Sequence, residues 1–309
     1  MASRTAAWAL MTISAGLLAG CELYNYVSGP GDLGVGGVVF DDTALKLAAP
    51  DTEASKSMPV VIAVHGFGAT AYETGYAAEY LTQRGILVSR PNMGKHGTAT
   101  RDQFGASTWR EWEAPIRDEY TRLVNAGYKN VGFLTISTGG PVVMELLTSG
   151  VLNPPPRRIS MVAPLLDFDD KRSGLVPVFQ MLGAINRPSK KTGTNIGKFY
   201  ADWPAGALRS LVDLTEVMKA RLRRTITSIP VDTKIQIFQS MRDKTVDPLS
   251  AQLWANGIKG PLVSIFMVDS DRHVPIGVEN VVDGKGEFTA DDKALRDKLL
   301  DQVVAAHKN

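Results

Sequence analysis

Ser137 lies in Asn130-Val131-Gly132-Phe133-Leu134-Thr135-Ile136-Ser137-Thr138-Gly139-Gly140, where an apolar run ends at a serine followed by two glycines and a helical pattern. A strand that turns sharply into a helix lifts a serine hydroxyl clear of the sheet, and small residues beside the turn let the helix approach. Gly139 and Gly140 meet that need. Thr135 stands where the usual G-x-S-x-G spacing has its first glycine, so a β-branched side chain has to fit there. The competing role for Ser137 is a helix N-cap, which serine favours because its oxygen accepts an orphan backbone N–H. A serine is a weak nucleophile alone. Acyl transfer through it requires a base, a group that orients the base, and donors for the developing oxyanion.

The candidate donors lie upstream, in Met58-Pro59-Val60-Val61-Ile62-Ala63-Val64-His65-Gly66-Phe67-Gly68, an apolar strand running into a glycine-rich turn. One donor should follow the nucleophile and the other should come from a loop beside it, which selects the backbone N–H groups of Thr138 and Phe67. An ordinary strand-end turn is the alternative for His65 to Gly68. The base must come from four histidines, His65, His96, His273 and His307. His65 precedes the oxyanion turn and is expected to brace it by hydrogen bonds. His96 is expected on a polar loop, and His307 on the exposed, fraying end of the last helix. His273 remains, just after the apolar strand Leu262 to Val268, with a plain surface histidine as its alternative. The orienting acid should follow the preceding strand, Lys234 to Ser240, where Asp243 is the next carboxylate. Asp247 is the rival, but it precedes Pro248 and fits the start of a helix. Asp269 and Asp271 sit too close to His273 in sequence to face it from a separate loop.

The order Ser137, Asp243, His273, with His65-Gly66-Phe67 ahead of it, resembles the α/β-hydrolase superfamily of serine esterases over roughly residues 38 to 308. Within it, the chain is most similar to small bacterial carboxylesterases and monoacylglycerol lipases. Their pattern includes an H-G-F oxyanion loop, a helical cap, and an acid of the form D-x-x-V-x-P, here Asp243-Lys244-Thr245-Val246-Asp247-Pro248. The resemblance implies an α/β-hydrolase fold, with Ser137 as nucleophile, His273 as general base and then acid, and Asp243 as its orienter. It also implies cleavage of carboxylic esters of short to medium acyl chains, among them monoglycerides or lysophospholipids.

At the N-terminus, Arg4 precedes the apolar run Ala6 to Gly20, which is too short to span a bilayer and has the form of a secretory signal. Its end, Leu18-Ala19-Gly20-Cys21, resembles the lipobox of bacterial lipoproteins, which implies cleavage before Cys21 and lipidation of its thiol. Cys21 is the sole cysteine, so an exported chain would have no internal disulfide to form. The alternative is an ordinary signal peptide with a chance cysteine. The expected organisation is therefore a signal peptide (1–20), a lipidated linker (21–37) and one domain (38–309), tethered in a bacterial envelope. Glu22 after the cysteine favours the outer membrane over the inner by the same analogy.

The 309 residues carry a formal charge of +2, too even a balance to point to nucleic acid. No cysteine cluster, histidine pair at ligand spacing or phosphate-cradling glycine loop marks a metal or nucleotide site, and no cofactor is expected. Gly34-Val35-Gly36-Gly37 precedes any helical pattern and fits a flexible entry to the first strand.

Several elements must bring these residues together. Residues 38–47 suggest one or two antiparallel edge strands. The Val60 strand, a helix over Ala71 to Gln83 closed by Gly85, and a strand over Ile86 to Arg90 follow. Alternation of this kind implies a mostly parallel sheet. Trp109, Trp112, Ile116 and Leu123 share one helical face expected in the core, although Pro115 blurs where that helix begins. After the strand Arg158 to Ala163 the pattern breaks over about 166–229, which is expected to form a helical cap. Leu211, Leu214, Met218 and Leu222 would form the buried side of its helix, either over an acyl pocket or merely against the sheet. Lys190, Lys191, Arg221, Arg223 and Arg224 are expected as solvated charges, with anionic lipid as a lesser partner. The last helix should start at a capping box, Thr289 with Asp292, and bury Leu295, Leu299 and Val303.

Two other functions share these features. A non-catalytic envelope lipoprotein could keep the fold as a binding scaffold. An amidase or acyltransferase could use the same serine.

Overall fold

The computed structural model describes residues 52–97, 99–169, 187–188, 202–278 and 287–308. The expected leader, Cys21, the linker, the 38–47 edge strands and Lys190 and Lys191 lie outside the described residues, as does much of the expected cap.

The short helix α1 (Glu53–Ser57) leads into β1 (Pro59–Val64). A 3-10 turn (Ala71–Thr74), α2 (Gly75–Thr82), β2 (Leu87–Ser89), α3 (Arg101–Gly105), α4 (Trp109–Asn125), β3 (Asn130–Ile136), α5 (Gly139–Thr148) and β4 (Arg158–Val162) follow. The cap region contributes a two-residue antiparallel pair, β5 (Arg187–Pro188) with β6 (Asp202–Trp203), and the long helix α6 (Ala205–Arg223). The chain then closes with β7 (Lys234–Ser240), α7 (Leu249–Gly257), β8 (Leu262–Val268) and α8 (Ala290–Lys308).

Six strands form one parallel sheet in the order β2-β1-β3-β4-β7-β8. Register pairs Val64 with Thr135, Ile136 with Val162, and Ser240 with Val268. The strands therefore finish along one rim, where loops of an open α/β sheet converge. Both faces of the sheet are covered, and this is why β1 is an unbroken apolar run. Val60, Ile62 and Val64 pack with α4, α5 and α6 on one face, while Val61 joins α2 and α8 on the other. Trp112 and Ile116 are fully buried in the first of these cores, as their helical spacing predicts. The cap-helix residues Leu211, Leu214, Met218 and Leu222 are buried in the same core.

Two helix starts differ from expectation. The segment from Ala71 begins as a 3-10 turn because Ala71 is pinned to the exit of β2: its N–H donates to Asn92 Oδ1 (2.6 Å) and its carbonyl accepts from Arg90 Nη1 (3.2 Å). Pro115 lies inside α4, whose start at Trp109 is set by a capping box between Thr108 and Glu111. Gly94 packs against the carbonyl of Glu111, where a Cβ would stand only 1.9 Å from the oxygen. Gly85, at φ +77°, closes the α2 segment, and the Thr289 and Asp292 box opens α8.

Candidate active site

Ser137 leaves β3 with φ +51°, the left-handed region that costs a non-glycine residue roughly 1–2 kcal/mol. Three backbone bonds hold it there. Its N–H donates to Val162 O (2.9 Å), and its carbonyl accepts from Gly140 N (3.0 Å) and Leu165 N (3.2 Å). Close approach of α5 explains the two glycines. A Cβ on Gly139 would lie 2.8 Å from Val64 O, and one on Gly140 would lie 2.9 Å from Pro164 Cβ. Thr135 fits without a glycine because it faces Gly140, whose added Cβ would sit 3.6 Å from Thr135 Oγ1, an ordinary contact. That hydroxyl is buried with no hydrogen-bond partner among the described residues.

The turn after β1 comes to the same place. Gly66 lies so near Ser137 that a Cβ on it would stand 3.3 Å from the Ser137 Cβ. His65 braces the turn as expected: Nε2 accepts from Met93 N (3.0 Å), which leaves the proton on Nδ1 to donate to Gly66 O (2.8 Å). At this rim the amides of Gly66, Ala69, Ser137 and Gly140 donate to Glu73, Gly66, Val162 and Ser137. Those of Phe67 and Thr138 have no protein acceptor among the described residues.

Asp243 and His273 meet directly. Asp243 Oδ2 accepts from His273 Nδ1 at 2.8 Å, both residues being almost wholly buried. Burial pushes the Asp243 carboxyl up, but the charge and hydrogen bond of His273, with the N–H groups of Thr245 (2.8 Å) and Val246 (3.1 Å), hold it below its usual range. An ionised carboxylate only accepts, so Nδ1 carries the proton, and in the neutral ring Nε2 is then the basic nitrogen. The two loops are stitched together by Ser240 Oγ donating to Arg272 O (2.6 Å) and Arg242 N donating to Ser270 O (3.0 Å). Asp247 instead opens α7, where its Oδ1 accepts from Leu249 N (2.9 Å). Asp269 pairs with Arg242 at the surface.

Three expectations need correction. His96 does lie on the loop between β2 and α3, but it is fully buried there, its ring packed at 4.7 Å from Phe104 and 5.2 Å from Trp112. His307 is buried rather than frayed, because Arg158 Nε ties the Ala306 carbonyl (3.0 Å) and Gly132 leaves a slot for the ring. Burial, then the charge of Arg158, pushes His307 down to about 4. Arg221 is an ion-pair partner of Glu145 (2.7 Å) rather than a solvated charge, since α6 lies across α5. Arg223 and Arg224 are exposed as expected.

Two contributors escaped the sequence. Glu73 accepts the Gly66 N–H from behind the turn, and the buried Gln239 donates Nε2 to Asp243 Oδ2 (3.3 Å). Neither sits in a motif; Gln239, next to last in its strand and following the apolar Ile237 and Phe238, carried the only hint. Among the described residues no group of acidic, histidine or cysteine side chains could hold a metal ion, and no helix is long and apolar enough to cross a membrane.

No protein-family model matches the chain. Solved structures do resemble it. One of the metagenome-derived lipolytic enzymes LipS and LipT superposes with a TM-score of 0.64 at 21% identity, over 82% of this chain and 94% of that one. A soluble variant of monoglyceride lipase from Saccharomyces cerevisiae, in complex with a substrate analogue, gives 0.60 at 12% identity, over 81% and 87%. The monoacylglycerol lipase of Paleococcus ferrophilus gives 0.57 at 16%, over 81% and 96%. With the parallel sheet and its flanking helices, these establish the α/β-hydrolase fold.

Proposed function

We propose that the protein is a serine hydrolase of carboxylic esters acting through an acyl-enzyme on Ser137. The observation that carries this reading is the 2.8 Å Asp243 to His273 pair at the same sheet rim as a serine held at positive φ. In this mechanism Ser137 Oγ attacks the ester carbonyl carbon as His273 Nε2 takes its proton, and Asp243 steadies the imidazolium. The Phe67 and Thr138 amides receive the oxyanion. Collapse expels the alcohol, which leaves with the proton from His273, and water activated by the same ring then frees the acid. Ester hydrolysis also accords with the lipolytic, lipase and monoglyceride lipase neighbours. Short to medium acyl esters, including monoglycerides or lysophospholipids, are the proposed substrates.

We further propose export and lipidation at Cys21, in the outer membrane of a bacterial envelope, on the strength of the Leu18 to Cys21 sequence. Globomycin-sensitive labelling with a palmitate analogue that disappears in Cys21→Ser tests this; labelling unchanged by the substitution contradicts it. For the chemistry, wild type should hydrolyse p-nitrophenyl butyrate and Ser137→Ala, folded, should not. A folded wild type inert toward a panel of esters and fluorophosphonates would favour a binding scaffold instead. Cleavage of amides, or acyl transfer to alcohols in preference to water, would move the product class while keeping Ser137.

A further inference from the structure

Gly66 belongs to two peptide planes, and each is held by a different side chain. The N–H of the His65 to Gly66 peptide donates to Glu73 Oε2 at 2.6 Å. The carbonyl of the Gly66 to Phe67 peptide accepts from His65 Nδ1 (2.8 Å) and Ala69 N (3.3 Å). A planar trans peptide sets its N–H opposite its C=O, so the Phe67 N–H is turned away from His65 and Ala69. Gly66 is also wedged: a Cβ there would lie 3.2 Å from Glu73 Oε2 and 3.3 Å from Ser137 Cβ. Glu73 therefore stands one residue's width behind the serine.

Glu73 is only 2% exposed. A buried carboxylate is costly unless it is hydrogen-bonded, and a charge-assisted bond to a backbone amide is roughly twice as strong as a neutral one. The carboxylate is aimed by the 3-10 turn that carries it. Thr70 Oγ1 caps that turn through Tyr72 N, Glu73 N donates to Thr70 O (3.0 Å), and Asn92 and Arg90 anchor Ala71. A rigid acceptor thus fixes the His65 to Gly66 plane, while His65 Nδ1 and Ala69 N fix the next one. Glu73 and His65 together therefore set the Gly66 dihedrals that aim the Phe67 N–H.

We propose that Glu73 is a positioning residue for ester hydrolysis, its carboxylate holding the Gly66 amide so that the Phe67 N–H is presented to the substrate oxygen. This rests on the acyl-transfer reading of Ser137. Removing one oxyanion donor outright costs about 10²–10³ in kcat, so misaligning one should cost about tenfold. Glu73→Ala should therefore lower kcat on p-nitrophenyl butyrate about tenfold with KM changed less than about twofold, and weaken inhibition by butylboronic acid by a similar factor. Glu73→Gln, whose amide oxygen can accept the same bond, should keep at least about a third of wild-type kcat. Melting temperatures measured alongside separate lost folding from lost alignment. Glu73→Ala turning over like wild type, or Glu73→Gln damaged as much as Glu73→Ala, would overturn the assignment. If Glu73→Ala does not fold, amide exchange in the wild type decides: the Gly66 amide should exchange much more slowly than that of Phe67, and equal rates overturn the proposal. A wild type without turnover or fluorophosphonate labelling would sink the ester-hydrolase reading itself, whereas an active wild type with an unaffected Glu73→Ala sinks only Glu73.

Discussion

Two pairs built on a carboxyl group, one buried and one half-buried, lie in different parts of this molecule, and they are charged in opposite ways. At the loop rim, Asp243 faces an imidazole and two backbone N–H groups, and is held ionised although it is almost fully buried. Between the helices, Glu113 of α4 faces Glu145 of α5, and burial and then that neighbouring carboxylate push it up to about 8. Arg221 of α6 binds Glu145 from the cap side, and Arg110 and Arg117 act on Glu113 from its own helix. Burial raises both acids; what differs is whether the partner offers donors or a second negative charge. The rim pair is built to keep a charge that can stabilise an imidazolium. The helix pair is built to keep a proton, and with Arg221 and Thr148 it fastens α6 to α5.

The comparison can be broken most sharply at the rim. Asp243→Asn keeps the shape but can present an N–H to Nδ1 and favour the wrong tautomer; we expect kcat to fall about 10³–10⁴-fold with the fold intact. A small loss would mean that the carboxylate is not the orienter.

Next in size is the core beneath the helix pair, where Trp112 precedes Glu113 on α4. Trp112→Ala should destabilise the fold by about 3–5 kcal/mol in urea unfolding, as expected for a fully buried ring. A cost below about 1 kcal/mol would contradict its burial.

The helix pair should then show itself in pH. Glu113 keeps its proton to about pH 8 when folded and to about 4.5 when unfolded, so its stabilisation is complete below about 4.5 and is lost as the pH rises through 8. Asp243 works the other way, stabilising above its unfolded value of 3.8 and ceasing to do so as the pH falls through its lower folded value. Melting temperature should therefore decline between about pH 4.5 and 8 in wild type, level off above that, and decline less steeply in Glu113→Gln. Parallel curves would show that Glu113 is ionised at neutral pH.

The smallest effect belongs to the exposed pair Arg242 and Asp269, close to the same loop rim but in water. Arg242→Ala should change stability by less than about 1 kcal/mol, against the large loss of kcat expected of Asp243→Asn in the buried pair.

The parts of the fold legible in the sequence were those whose signal is local. Apolar runs marked β1, β3 and β8, the spacing of Leu211, Leu214, Met218 and Leu222 marked the inner side of α6, and the Thr289 box marked the start of α8. The pairing of Asp243 with His273 was also legible, because each follows an apolar strand and the two strands are neighbours. Side chains whose partners come from far along the chain were not. Arg221 looked solvated because Glu145 is 76 residues away, and His307 looked frayed because Gly132 and Arg158 make its slot. Glu73 carries no motif at all; its role depends on the fold of a turn seven residues upstream.

The central claim is that Ser137 is an activated nucleophile. Incubation with a fluorophosphonate, followed by peptide mass mapping, tests it most directly. A single adduct on the peptide containing Ser137, lost in Ser137→Ala and strongly slowed in His273→Ala, is the expected result. A folded protein that takes no label, or takes it on another residue at an undiminished rate in Ser137→Ala, would contradict the account.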